Sequence, residues 1–242
     1  MSAKAPASSV PAKTVFTTSR AYLLLYNTAS FALWSVITLR LFLLLALLVP
    51  TGHVAATYNA LFPLLRVTQS LALLEIVHSL VGIVRAPVIT TLMQVASRIV
   101  VVWGVMWMFA EERVGREMGI LGGGRGGGGK LGDWGFVGCL GAWGVTECVR
   151  YGFFMLQISG NGVPGWLSWL RYNTFFVLYP IGISSECVLM YLALEPAIMV
   201  HPLLPWVFKA ILLVYVPGSY ILYTHMMAQR RKVMKAAAKK AT

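Results

Sequence analysis

Residues 170–194 read LRYNTFFVLYPIGISSECVLMYLAL. The stretch is mostly apolar and long enough to cross a bilayer, which takes about 20 residues of helix. Yet it carries Tyr179, Pro180, Gly182, Ser184, Ser185 and Glu186. A carboxylate inside a spanning segment is costly, and such residues usually face a bundle interior or a cavity rather than lipid. Tyr179 and Glu186 are seven residues apart, a spacing that returns to nearly the same helix face two turns along. A phenol and a carboxylate then share one side of a membrane helix and can act as an acid–base pair. The plainer alternative is a buried aromatic beside a carboxylate that ties two helices together.

Outward from this stretch, apolar windows recur near 21–49, 61–84, 88–110, 134–158, 167–194 and 203–227. The expected fold is an all-α, multi-pass membrane bundle of about six transmembrane helices. Composition agrees, since only 12% of the 242 residues are charged and 58% are hydrophobic, where a soluble domain carries about a quarter charged. No window alternates as a membrane β-strand does. The formal net charge of +12 is concentrated beside the apolar block, at Lys4, Lys13 and Arg20 and again over Arg230–Lys240. That placement fits juxtamembrane anchors rather than nucleic-acid binding. An even span count with two basic ends puts both termini in the cytosol by the positive-inside rule. The loop over 111–133 runs against this rule, because it should be lumenal and yet holds Arg113, Arg116, Arg125 and Lys130.

Three divisions are expected: a disordered cytosolic tail over 1–19, a membrane domain over 20–228, and a basic cytosolic tail over 229–242. Within the domain, the glycine-rich loop at 121–130 lacks the Gly-Lys-Ser/Thr ending of a phosphate-binding loop and reads as a flexible linker. Cys139, Cys148 and Cys187 have no metal-ligand spacing, and none is followed after five residues by an arginine, so phosphatase chemistry has no support. Lys239 and Lys240 sit where a dilysine retrieval signal for the endoplasmic reticulum would sit.

Polar residues recur inside the other windows. Glu75 and His78, in LALLEIVHSLVGIVRAP, are three apart and can meet on one helix face, as a second acid–base pair or as a structural one. Glu147 and Arg150 have the same spacing and read as a structural salt bridge that relieves two desolvation costs. Arg85, Arg150 and Arg171, with Tyr172 beside the last, lie toward the inferred cytosolic side as candidate phosphate contacts, since arginine offers a planar fork of donors. Arg40, deep in TLRLFLLLALLVP, has no functional reading.

Tyr-Pro-x-Gly-x-x-x-Glu at 179–186, preceded by Leu-Arg-Tyr at 170–172, resembles the 3-hydroxyacyl-CoA dehydratases of very-long-chain fatty acid elongation, once called protein-tyrosine-phosphatase-like proteins. Leu-Glu-x-x-His-x-x-x-Gly-x-Val-Arg-x-Pro at 74–87 is similar to a second stretch of that family. The resemblance covers most of 20–228 and departs chiefly at the glycine-rich insert. It implies an endoplasmic-reticulum enzyme that eliminates water from a (3R)-3-hydroxyacyl-CoA to give the trans-2-enoyl-CoA. It further implies an acyl tunnel among the helices, CoA at the cytosolic mouth, and a condensing enzyme and two reductases (ketoacyl and enoyl) as partners.

That elimination needs a base for the C2 hydrogen and a proton donor for the departing C3 oxygen, which one carboxylate and one phenol supply. No metal or redox cofactor is required, CoA being part of the substrate. Tyrosine is ordinarily protonated at neutral pH, so the preferred assignment is Glu186 as base and Tyr179 as acid, with the reverse left open. Seven residues of helix place the two Cα atoms about 10.5 Å apart along the axis, so the side chains must converge. Pro180 removes the N–H that would bond Phe176, and the expected kink turns Tyr179 back toward Glu186. Two other readings compete with the enzyme: a small-solute transporter lined by Glu75, Glu147 and Glu186, and a catalytically inactive membrane scaffold.

Overall fold

The computed structural model describes residues 18–123, 129–160 and 162–241. The tail expected over 1–19 therefore lies almost wholly outside the described residues, as does the centre of the glycine-rich loop. Among the described residues there are helices and no β-strand, with one isolated bridge between Ala110 and Leu121.

Helix α1 spans Thr18–Leu48, and α2 (Ala56–Leu71) and α3 (Leu73–Leu80) form one broken span. Helix α4 (Val88–Ile99) continues as a π-helical segment over Val100–Met106. A short α5 (Glu111–Val114) precedes the long α6 (Leu131–Ser159). Then come α7 (Gly165–Asn173), α8 (Phe175–Leu192), α9 (Leu194–Val200) and α10 (Leu204–Ala241). Among the described residues, five helices are long and apolar enough to cross a membrane: Thr18–Leu48, Ala56–Leu80, Val88–Met106, Phe175–Leu192 and Leu204–Lys235.

The remaining window, the fourth at 134–158, corresponds to α6, which has the length, at 29 residues, but not the hydropathy. Packing explains its composition. α6 lies between α1 and α8, its most extensive partners, and much of its surface faces protein. Its glycines let the neighbours approach: a Cβ on Gly144 would collide with the Thr38 hydroxyl of α1, and one on Gly138 with the Ser185 hydroxyl of α8. Small residues at such contacts allow the close backbone approach on which helix association in a membrane depends. The core around this axis includes Trp34, Ile37 and Leu41 from α1, Tyr58 and Leu61 from α2, Phe136 and Leu140 from α6, and Leu189 from α8.

At the end of the molecule holding α5, the loop that ran against the charge rule folds on itself. Lys130 pairs with Glu111 at 2.5 Å and donates to the Gly119 carbonyl at 3.0 Å. The Arg113 guanidinium sits 3.7 Å from the centre of the Trp107 ring. Asp133 accepts from the N–H groups of Gly122 and Lys130, both at 2.9 Å, and thereby starts α6. At the opposite end, α10 runs as helix well past its apolar part. Arg230, in the expected basic tail, donates to Asn173 on α7 at 3.0 Å.

Candidate active site

The apolar face of α10 follows the helical repeat: Val207, Ala210, Ile211, Val214, Tyr215, Gly218, Ser219, Leu222, His225, Met226 and Gln229 all line one cavity of about 1170 Å³. From Val207 to Gln229 that face is about 33 Å long. Helix α8 contributes a facing stripe of Leu178, Tyr179, Gly182, Ile183 and Glu186, and α4 and α6 complete the wall. One end is apolar, bounded by Val207, Ala210, Ile211 and Val214. The other is polar, with Arg85, Arg171, Tyr172, His225 and Gln229. Every site residue expected from the sequence lines this cavity: Tyr179, Glu186, Glu75, His78, Arg85, Arg150, Arg171 and Tyr172.

Within the cavity these residues separate into distinct groups. Glu186 is 7% exposed. The Trp143 indole N–H of α6 donates to its Oε1 at 2.9 Å, and the Tyr215 hydroxyl of α10 donates to its Oε2 at 2.8 Å. Tyr179 does not reach back to Glu186. Helix α8 runs through Pro180 without interruption, and the Tyr179 hydroxyl donates across to the Ser219 carbonyl of α10 at 3.0 Å. The two groups are thus both held by α10. A Cβ on Gly218, between these two contacts on α10, would meet nothing within 4 Å, so space is left there.

Nearby is a lattice of four opposite charges. Arg150 grips Glu75 with both terminal nitrogens, at 2.9 and 2.7 Å, and donates from Nε to Glu147 at 2.6 Å. Arg98 closes on the other oxygen of Glu147. Glu75 also accepts from the Tyr151 hydroxyl at 2.5 Å and from Tyr26 at 3.3 Å. The Glu147–Arg150 bridge has the spacing read from the sequence. Glu75 and His78 go separate ways: the recorded hydrogen bond of His78 is with the Tyr22 hydroxyl, at 2.8 Å. Arg150 has its donor fork engaged by two carboxylates, which leaves it poorly placed to bind a phosphate.

Arg171 differs from Arg150 in this respect. Its guanidinium lies against the rings of Phe153 and Phe154, at 4.5 and 4.4 Å. Its buried Nε has no hydrogen-bond partner among the described residues. Arg85, on the loop between α3 and α4, is exposed at the cavity mouth. Arg40 is exposed and reaches the Ala60 carbonyl only at 3.4 Å. Among the described residues, no three His, Cys, Asp or Glu side chains come together as a metal site.

The sequence reading did not single out Trp143 or Tyr215, and it noted Tyr151 only as a polar residue beside Glu147 and Arg150, without the partner Glu75 that the fold gives it. A signal existed for Tyr215, a hydroxyl in the middle of the last apolar window, because a phenol placed there needs a hydrogen-bond partner. The identity of that partner, 29 residues away in sequence, is visible only in the fold.

Fold and site together define an all-helical protein, suited to a membrane by helix length and composition, built around one elongated cavity that is basic at one end and apolar at the other. The chain belongs to the protein tyrosine phosphatase-like (PTPLA) family, whose model matches residues 69–236. It is 37% identical over 221 residues to a probable very-long-chain (3R)-3-hydroxyacyl-CoA dehydratase of Schizosaccharomyces pombe, covering 91% of this chain and 96% of that protein. It is 39% identical over 232 residues to the very-long-chain (3R)-3-hydroxyacyl-CoA dehydratase PASTICCINO 2B of Oryza sativa subsp. japonica, covering 90% and 95%. Identity to very-long-chain (3R)-3-hydroxyacyl-CoA dehydratase 2 of Homo sapiens is 33% over 227 residues, covering 88% and 81%. No solved structure matches the chain.

Proposed function

We propose that the protein is a very-long-chain (3R)-3-hydroxyacyl-CoA dehydratase, a hydro-lyase that eliminates water to give the trans-2-enoyl-CoA, the third step of fatty acid elongation. The relatives named for this activity support the reaction. The observation that carries the assignment to this site is the shared cavity: Tyr179 and Glu186 lie on its wall between a basic end and an apolar end. Glu186 takes the C2 hydrogen as a proton, and the C2–H electron pair becomes the C2–C3 double bond. The C3–O bond breaks as Tyr179 protonates the leaving oxygen, which departs as water. Return of the proton from Glu186 to the Tyr179 phenolate resets the site.

In this reading the C3 hydroxyl takes the place of the Ser219 carbonyl as the partner of Tyr179. The acyl chain lies along Val214, Ile211, Ala210 and Val207. From Tyr215 to Val207, eight residues of helix give about 12 Å of apolar wall. CoA extends the other way, where Arg171 has an unengaged donor and Arg85 stands at the mouth, with Tyr172 beside them; arginine is suited to phosphate through charge-assisted bonds. Glu75, His78 and Arg150 support the wall. The chemistry is complete in protein side chains, with no cofactor.

We further read six spans, with α6 as the sixth, and both termini in the cytosol. The basic residues Arg20, Arg85, Arg171 and Arg230 belong to one end of the bundle, since Arg20 reaches the Ile158 carbonyl near the end of α6 and Arg230 reaches α7. The pairing of Lys130 with Glu111 offsets part of the positive charge that ran against this orientation. Residence in the endoplasmic reticulum and contact with the condensing enzyme and the two reductases rest on the reaction's place in elongation. The test is incubation of purified protein with (3R)- and (3S)-3-hydroxyacyl-CoA of several chain lengths, with acyl-CoA products separated by mass. The expected result is a trans-2-enoyl-CoA from the (3R) substrate alone. No dehydration at any length would overturn the reading in favour of the scaffold.

A further inference from the structure

Two catalytic groups seven residues apart on one unbroken helix are too far apart, along that helix, to serve adjacent carbons. Their partners on α10 are closer together. Glu186 is held by Tyr215 and Tyr179 by the Ser219 carbonyl, and Tyr215 and Ser219 are four residues apart, about 6 Å of rise against about 10.5 Å on α8. The pairing is antiparallel, since the later residue of α8 meets the earlier residue of α10. Both groups are therefore held from across the cavity by one helix.

From this geometry we infer that α10 positions the base, with Tyr215 the positioning residue through which it holds Glu186, and that it keeps Tyr179 on the Ser219 carbonyl until the substrate hydroxyl takes that place. The inference rests on the dehydratase reading of the same site. Trp143 fixes the other oxygen from α6. Each carboxylate oxygen can accept more than one hydrogen bond, so a lone pair remains on each for the substrate proton. Both donors are uncharged, and they orient the carboxylate without neutralising it. Tyr215 acts through Glu186 and is not required to touch the substrate.

The test is Tyr215→Phe, which removes one oxygen and keeps the ring, assayed with the full-length protein in detergent or lipid. The expected kcat is lower by about 10- to 100-fold, the usual cost of losing an orienting partner, with KM for the acyl-CoA unchanged. A loss of packing alone would lower the folded fraction and leave kcat per folded molecule unchanged, whereas a loss of positioning lowers kcat per folded molecule.

Trp143→Phe removes the other donor and should give the same pattern. It decides the matter if Tyr215→Phe fails to fold. Parental kcat in the folded variant, with Glu186→Gln inactive, would overturn this role of Tyr215 while leaving the dehydratase reading intact. An inactive parent would overturn both.

Discussion

Glu147 and Glu186 are both buried carboxylates on the wall of one cavity, 3% and 7% exposed, yet their surroundings are opposite in kind. Glu147 is clamped between two guanidiniums and belongs to a lattice in which Glu75, Arg150, Glu147 and Arg98 alternate in sign. Glu186 accepts from an indole and a phenol, and neither carries charge. A carboxylate saturated by arginines is fixed in place with its oxygens engaged, whereas one oriented by two neutral donors keeps lone pairs open to a substrate. The difference separates a structural charge from a chemical one, although composition and depth are alike.

The comparison can be broken in several places. The largest effect is expected at Tyr179→Phe, which deletes the proton donor: kcat should fall by about 10²- to 10⁴-fold with the melting temperature unchanged, as read by enoyl-CoA formation and thermal melting. Arg150→Met attacks the lattice and leaves two buried carboxylates without their shared partner. Breaking a buried pair from one side costs about 3–5 kcal/mol, so the variant should melt well below the parent. Ala210→Phe fills the apolar end without touching either group. The KM for the longest substrates should rise about tenfold, as a pocket discriminates by a few carbons' worth of contact, while shorter chains are turned over normally; a chain-length series measures this. The smallest change is Tyr26→Phe, which removes a 3.3 Å bond to a carboxylate that keeps better partners. It should cost no more than about 1 kcal/mol by chemical denaturation.

Much of this architecture was legible in the chain because hydropathy is a local property. The apolar windows correspond to helices, and the spacing of Tyr179 and Glu186 placed both on the cavity face of α8. Local spacing was less reliable for partners. Glu147–Arg150 and Glu75–His78 have the same i,i+3 separation, yet only the first pair bonds, because Arg150 also offers Glu75 a two-pronged contact from 75 residues away. The turn of Tyr179 toward Glu186 expected at Pro180 is not what the fold shows: Tyr179 bonds the Ser219 carbonyl and Glu186 the Tyr215 hydroxyl, both on α10, whose neighbour relation with α8 no local pattern records. The low hydropathy of α6 likewise makes sense only once α1 and α8 are seen packed against its glycines.

The most direct measurement makes one chemical change at both carboxylates. Glu186→Gln and Glu147→Gln are purified, and dehydration of a long-chain (3R)-3-hydroxyacyl-CoA is measured per folded molecule alongside thermal melting. The account predicts that Glu186→Gln keeps its melting temperature and loses activity by about 10³-fold or more. It predicts that Glu147→Gln melts early and retains most of its activity per folded molecule. An active, fully folded Glu186→Gln would contradict it.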